Sequence, residues 1–228
     1  MKSRSHENIL LVEGRDDKRV IPQLVEANGI RWGDRTEEWV ADIHDYDGVE
    51  SILAQNVIET EMLASGVRRL GVVVDADDDV TKRWRRIRAQ IVSRFPNAPK
   101  QIPRGGAVLA GRVRFGAWLM PDNRSQGMLE TLLALIASEG SDPESALVNY
   151  AQDVCVVAKS RGAPFKDAHV AKATVHTWLG WQDPPGRQLH DAIIQGILRA
   201  RSEAAAPFIR WFRKVFEIDD VVRVAGVP

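Results

Sequence analysis

Two short apolar runs, each closed by a cluster of acids, constrain the fold of this chain more than any other feature. Asn8-Ile9-Leu10-Leu11-Val12 leads into Glu13-Gly14-Arg15-Asp16-Asp17, and Leu70-Gly71-Val72-Val73-Val74 leads into Asp75-Ala76-Asp77-Asp78-Asp79. Each run is short, leucine-rich or β-branched, and bounded by turn residues, which is the pattern of a buried strand. A helical pattern follows each one. Val20, Ile21, Leu24 and Val25 give an apolar face to a helix over 16–28, and Trp84, Ile87, Ile91 and Phe95 do so over 81–95. Pro22 predicts a kink or a late start in the first of these. Between them, alternation over 39–44 predicts a strand, and Ile52, Leu53, Val57, Ile58 and Met62 predict a helix over 49–63. Strands alternating with helices predict an α/β fold, a Rossmann-like and mainly parallel sheet of about four strands with right-handed crossovers.

Further along, 107–110 and 113–118 are strand candidates around Gly111, in the manner of a hairpin, and 127–137 is helical. Beyond Pro143 the pattern is helical over 146–157, 168–179, 189–200 and 205–216, and a strand pattern returns only at Val221-Val222. The division this predicts is an α/β domain over 1–140 with a helical C-terminal portion over 141–228 packed on it. Residues 1 to 7 are polar and are expected to fray.

The 228 residues are enough for a full core, and no apolar run approaches the roughly 18 residues of a membrane span. With no secretory pattern at the amino terminus, the expected location is cytoplasmic. Cys155 is the only cysteine, which excludes an internal disulfide and a cysteine-based zinc site. The 31 basic and 31 acidic residues balance, so a nucleic-acid surface would have to be a local patch.

In open α/β sheets ligands gather beyond the carboxyl ends of the strands, where Glu13 and Asp75 are expected. Several like charges brought together there call for a cation, and carboxylate oxygens suit magnesium or manganese. Glu13 reads as a ligand or base, against the plainer role of a helix-start carboxylate; Gly14 is expected to permit the tight turn and close backbone approach. Asp16 and Asp17 are both candidates for first-turn helix acids. Asp75 and Asp77, two apart in extended backbone, are expected to point the same way and share a cation. Asp122 and Glu130 compete for a further acidic role. The basic residues Lys82, Arg83, Arg85, Arg86, Lys100 and Arg104 read either as a solvated surface or as phosphate contacts beside the acids. His44, His169, His176 and His190 lack metal-ligand spacing, and neither a nucleophile motif nor a Walker-type loop is present.

Leu11-Val12-Glu13-Gly14 with Asp17, then Val74-Asp75-Ala76-Asp77, resembles the Toprim domain of topoisomerases, bacterial primases and OLD-type (overcoming lysogenization defect) nucleases. Ala117-Trp118-Leu119-Met120-Pro121-Asp122-Asn123 through Gly127-Met128-Leu129-Glu130 is similar to the OLD-related, stand-alone members, and the resemblance covers residues 7 to 135. It implies a nuclease that cuts DNA or RNA with two Mg2+ or Mn2+ ions, in antiphage defence or nucleic-acid processing, beside a separate ATPase; a homodimer is a further expectation. It favours Asp17 over Asp16 as a ligand, adds Asp79 as a third acid like that of the topoisomerases, and places a further acid at Asp122 or Glu130, with Glu130 preferred. It also implies a late lysine that steadies charge on the phosphate, which falls on Lys172 with Lys166 as its rival. A Toprim scaffold that binds nucleic acid or a protein without cutting is the alternative, and primase-like phosphotransfer is a second one.

Overall fold

The computed structural model describes residues 7–140 and 143–219. Most of the polar start and the Val221-Val222 strand pattern lie outside the described residues. Five strands form one sheet: β1 (Asn8–Val12), β2 (Asp42–Asp45), β3 (Arg69–Asp75), β4 (Ala107–Leu109) and β5 (Arg114–Met120). Their order is β2-β1-β3-β5-β4. The first four in that order are parallel, and β4 pairs antiparallel with β5. The expected mainly parallel sheet of about four strands is present as β2-β1-β3-β5, extended at one edge by β4, the hairpin partner of β5.

Alternation along the strands builds a core on each face. Ile9, Leu11, Val72, Val74, Phe115 and Leu119 join Ile58, Met62, Trp84, Ile87 and Ile91 on one side. Those partners belong to α3 (Val57–Leu63) and α4 (Val80–Ile91). Leu10, Val12, Val73, Trp118 and Met120 face the other way. They pack with α1 (Arg15–Ala27), α5 (Leu129–Ser138), α7 (Val170–Gly180), α8 (Leu189–Ile194) and α9 (Ala206–Phe216). The helical C-terminal portion therefore shares a core with the sheet. Trp118 meets Phe208 and Trp211 of α9 at ring-centroid distances of 5.5 Å and 5.8 Å.

A track of glycines seats α9. A Cβ on Gly116 would lie 2.2 Å from Val215, one on Gly71 3.1 Å from Phe216, and one on Gly106 2.3 Å from Trp211. Gly71 and Gly116 are register partners on β3 and β5, so the bare strip crosses the sheet under the helix.

Several boundaries differ from the sequence pattern for local reasons. The helix expected over 49–63 is divided into α2 (Val49–Ile52) and α3, because Asn56 adopts a left-handed backbone with φ 64°. The helix expected over 189–200 ends at Ile194, where Gly196 turns left-handed with φ 70°. The 39–44 strand begins at Asp42, after a 3-10 turn over Thr36–Glu38. Helix α1 runs continuously through Pro22. The longest helix, α6 (Pro143–Ser160), packs against α5 and α7. Among the described residues no helix is long and apolar enough to cross a membrane.

Candidate metal centre

The chain leaves β1 for β2 on one side and then crosses to β3 on the other, so β1 and β3 flank the topological switch point. Glu13 is the first residue beyond β1, and Asp75 is the last residue of β3. Glu13 Oε1 accepts a hydrogen bond from the Asp75 backbone N–H at 2.7 Å, so the side chain of one tip fastens the backbone of the other. Asp17, in the first turn of α1, accepts from the Gly14 N–H at 3.1 Å. Asp75 Oδ1 accepts from the Leu129 N–H at 2.9 Å, which brings the start of α5 over the crevice. Glu130 follows on that first turn, 4% exposed, and pairs with Lys172 of α7 at 2.8 Å. Gly14 itself is extended (φ −155°), a conformation any residue adopts, so the turn does not demand glycine there.

These residues line one open cleft of about 640 Å³ together with Asp16, Asp45 and Asp47. Burial raises the pKa of Glu13 to about 7, aided by the charges of Asp77 and Glu50 and opposed by the Asp75 N–H and Arg83. Burial likewise raises Asp17 to about 7, with the charges of Glu13 and Glu130 adding to it. Asp75 is driven well above the carboxylate range by burial first, then by repulsion from Glu13, Asp17 and Glu130. For Lys172 burial acts downward, but its hydrogen bond to Glu130 and the charges of Glu130, Asp16 and Asp75 outweigh it and raise its pKa. The cleft is an acidic cluster with Lys172 and Arg15 as the cations in its lining.

Not every predicted residue is gathered there. Asp77 has a left-handed backbone with φ 49°, and its N–H and C=O pair with Gly127 at 2.9 Å each. That turn ends the strand alternation, so its carboxylate goes to Arg83 of α4 and does not line the cleft with Asp75. Asp79 caps α4 by accepting from the Lys82 N–H at 2.9 Å. Asp122 folds its own turn, accepting from the N–H groups of Arg124 at 2.9 Å and Ser125 at 2.7 Å. Of the two competitors, Glu130 is in the cleft and Asp122 is not.

The basic residues are divided as well. Arg83 is 8% exposed and held by Asp77, and Arg86 grips Glu50 through two nitrogens at 2.6 Å and 2.9 Å. Lys82, Arg85, Lys100 and Arg104 are exposed. Asn123 ties the Arg104 loop to the end of β5, accepting from the Leu119 N–H at 2.8 Å and donating to the Arg104 carbonyl at 3.3 Å. None of the four histidines singled out in the sequence lines the cleft. Asp45 and Asp47 were not among the expected site residues. Applying the strand-tip rule to β2 as well as to β1 and β3 identifies Asp45.

The donors are hard oxygens without sulfur or imidazole, the chemistry that suits magnesium or manganese. Among the described residues no three of them stand as a closed ligand set. Glu13, Asp17 and Asp75 each commit an oxygen to a backbone N–H, and Glu130 commits one to Lys172. Together, fold and cleft define an α/β protein with a carboxylate-rich crevice at its switch point. The chain belongs to the family described as Protein of unknown function (DUF3226), whose model matches residues 7–217. No curated protein and no solved structure matches it.

Proposed function

We propose that this protein is a divalent-metal-dependent nuclease of Toprim type that cleaves phosphodiester bonds of DNA or RNA. The observation that carries this reading is the convergence of Glu13, Asp17, Asp75 and Glu130 on one cleft, where burial raises the first three. Such a cluster resists full ionisation at neutral pH unless positive charge is added. Those four residues are the ones that would hold Mg2+ or Mn2+, as one ion or as two. A bound cation of this kind supplies Lewis acidity toward a phosphate and lowers the pKa of water. With no cation bound, Glu13 has a pKa of about 7 and exchanges its proton near neutrality; a bound cation would hold it ionised as a ligand. Lys172 places an ammonium at the cleft that opposes negative charge on phosphate oxygens. A partner ATPase and a role in antiphage defence are implied by the Toprim resemblance and belong to the same proposal, with a homodimer and a cytoplasmic setting as its expected context.

One observation favours the scaffold alternative: Asp77, expected beside Asp75, is committed to Arg83 outside the cleft. The two readings separate in a single assay. Purified protein incubated with plasmid DNA and with structured RNA should cut at least one of them in magnesium or manganese and neither in chelator. Intact binding without cutting under all three conditions would replace the nuclease with the scaffold.

A further inference from the structure

A second pocket lies one step from the acidic cleft. It has a volume of about 260 Å³ and lies between α1, β2 and α8, with Trp39, Trp32, Pro22, Lys18, Arg19 and His190 in its wall. The loop that carries the two indoles is closed upon itself. The Val40 N–H donates to the Trp32 carbonyl at 3.1 Å. Gly33 sits at φ 108°, where a Cβ would meet the Glu38 carbonyl oxygen at 2.5 Å, so the return toward Trp39 needs a glycine. Trp32 is anchored in the core against Phe212 at a centroid distance of 6.2 Å, while Trp39 is only partly buried.

Cations edge this aromatic surface. Lys18 pairs with Asp45, a residue of the acidic cleft, at 2.7 Å, so this ion pair links the two cavities. Arg19 donates to the amide oxygen of Gln188 at 2.9 Å, a neutral partner. Carboxylates in contact with this wall are Asp45 on Lys18, Asp191 on His190, and Glu26, which accepts from the Trp32 N–H at 3.2 Å. Asp16 and Asp17 line the cleft while Lys18, Arg19 and Pro22 line the pocket, about one 5.4 Å turn along α1. Along β2 the step from Asp45 to Ile43 is about 6.8 Å. The partly exposed Trp39 indole suits a flat aromatic group, and the lysine and arginine disfavour a cationic one.

Resting on the nuclease reading for its substrate class, we propose that this pocket binds one unpaired nucleobase and its phosphate beside the acidic cleft, so that the substrate is single-stranded or locally opened nucleic acid. Trp39 offers the stacking face, and Arg19 contacts the phosphate. The shared chemistry is that of a DNA or RNA strand, and the assay carries both.

The test is binding in chelator, where metal-dependent cutting is silent. Fluorescein-labelled single-stranded DNA and RNA 12-mers and a blunt DNA duplex are titrated with the full chain and followed by anisotropy. Trp39→Ala should weaken binding of at least one single strand by about tenfold and leave the duplex unchanged, while Trp39→Phe stays within about twofold of the wild type. Arg19→Gln should lower the salt slope on the same strand by about 0.7. This variant keeps the test decisive if Trp39→Ala does not fold. Folded Trp39→Ala with unchanged single-strand affinity, an Arg19→Gln slope equal to that of the wild type, or a wild type that binds only duplex would each overturn the proposal. Single-strand binding that depends on Trp39, without any cutting in metal, would refute the nuclease and leave the base pocket standing.

Discussion

Glu13, Asp17 and Asp75 show how a residue's position can matter more than its type. Their ordinary pKa values are 4.5 for the glutamate and 3.8 for the aspartates, and burial lifts Glu13 and Asp17 to about 7 and Asp75 well above its own. Because the folded values exceed the unfolded ones, the native state binds the extra protons. Their contribution to stability is complete below about pH 4 and is lost as the pH rises through about 7. The metal-free protein should therefore lose melting temperature between about pH 5 and about pH 8. Millimolar magnesium or manganese should restore it most at the alkaline end, since cation and proton compete for the same oxygens. Thermal melts with chelator and with metal across that range would check this, and a melting temperature indifferent to metal at alkaline pH would rule out the cation site. Asp75→Asn is a sharper probe. The amide oxygen can still accept from the Leu129 N–H, yet the charge that repels Glu13 and Asp17 is gone. The variant should melt at or above the wild-type temperature in chelator. It should also lose more cleavage than the about 10–100-fold typical of an outer-shell partner. Wild-type cutting by this variant would remove Asp75 from the mechanism.

At the scale of elements, α4 carries the clearest revision. Its pattern of Lys82, Arg83, Arg85 and Arg86 reads as one basic surface in the sequence, but folding assigns the four to different tasks. Arg83 and Arg86 are engaged by Asp77 and Glu50, and only Lys82 and Arg85 are exposed. If α4 guides a phosphate backbone, exposed Lys82 and Arg85 must do it. Replacing both with alanine should flatten the salt dependence of duplex binding by about 0.9 per lost contact, with metal affinity unchanged. An identical slope would make this face solvated surface alone. Helix α5 shows the opposite case. Leu129 and Glu130 become part of the site because the first turn of α5 is pinned to Asp75, so one short hydrogen-bonded junction recruits a helix that follows the sheet in sequence.

At the scale of the whole molecule, α9 decides how the two halves relate. Val215 and Trp211 rest on Gly116, and a Cβ there would come within 2.2 Å of one Val215 methyl and 2.9 Å of the other. Valine is stiff at χ1, so it cannot simply turn away. Gly116→Ala should cost about 1–3 kcal/mol of stability, read as a shifted denaturant midpoint at constant slope. A neutral result would mean that α9 does not sit on the sheet in solution. Much of the molecule was legible in the sequence: the strands from apolar runs, the α/β class from their alternation with helices, and Glu13 and Asp75 from their places at strand tips. These follow from local periodicity and from a rule about where parallel strands end, and both act over a few residues. Other features depended on contacts between residues far apart. Asp77 turned to Arg83 because a left-handed residue ended the strand; Asp45 joined the cleft because β2 lies beside β1; and Glu130 met Lys172 because α7 packs on α5. The sequence by itself determined which segments become strands and helices and that acids stand at two of the strand ends. Only the tertiary structure decided which acids share a cavity, because desolvation and Coulomb repulsion depend on distance through space, which the packing of helices on the sheet sets.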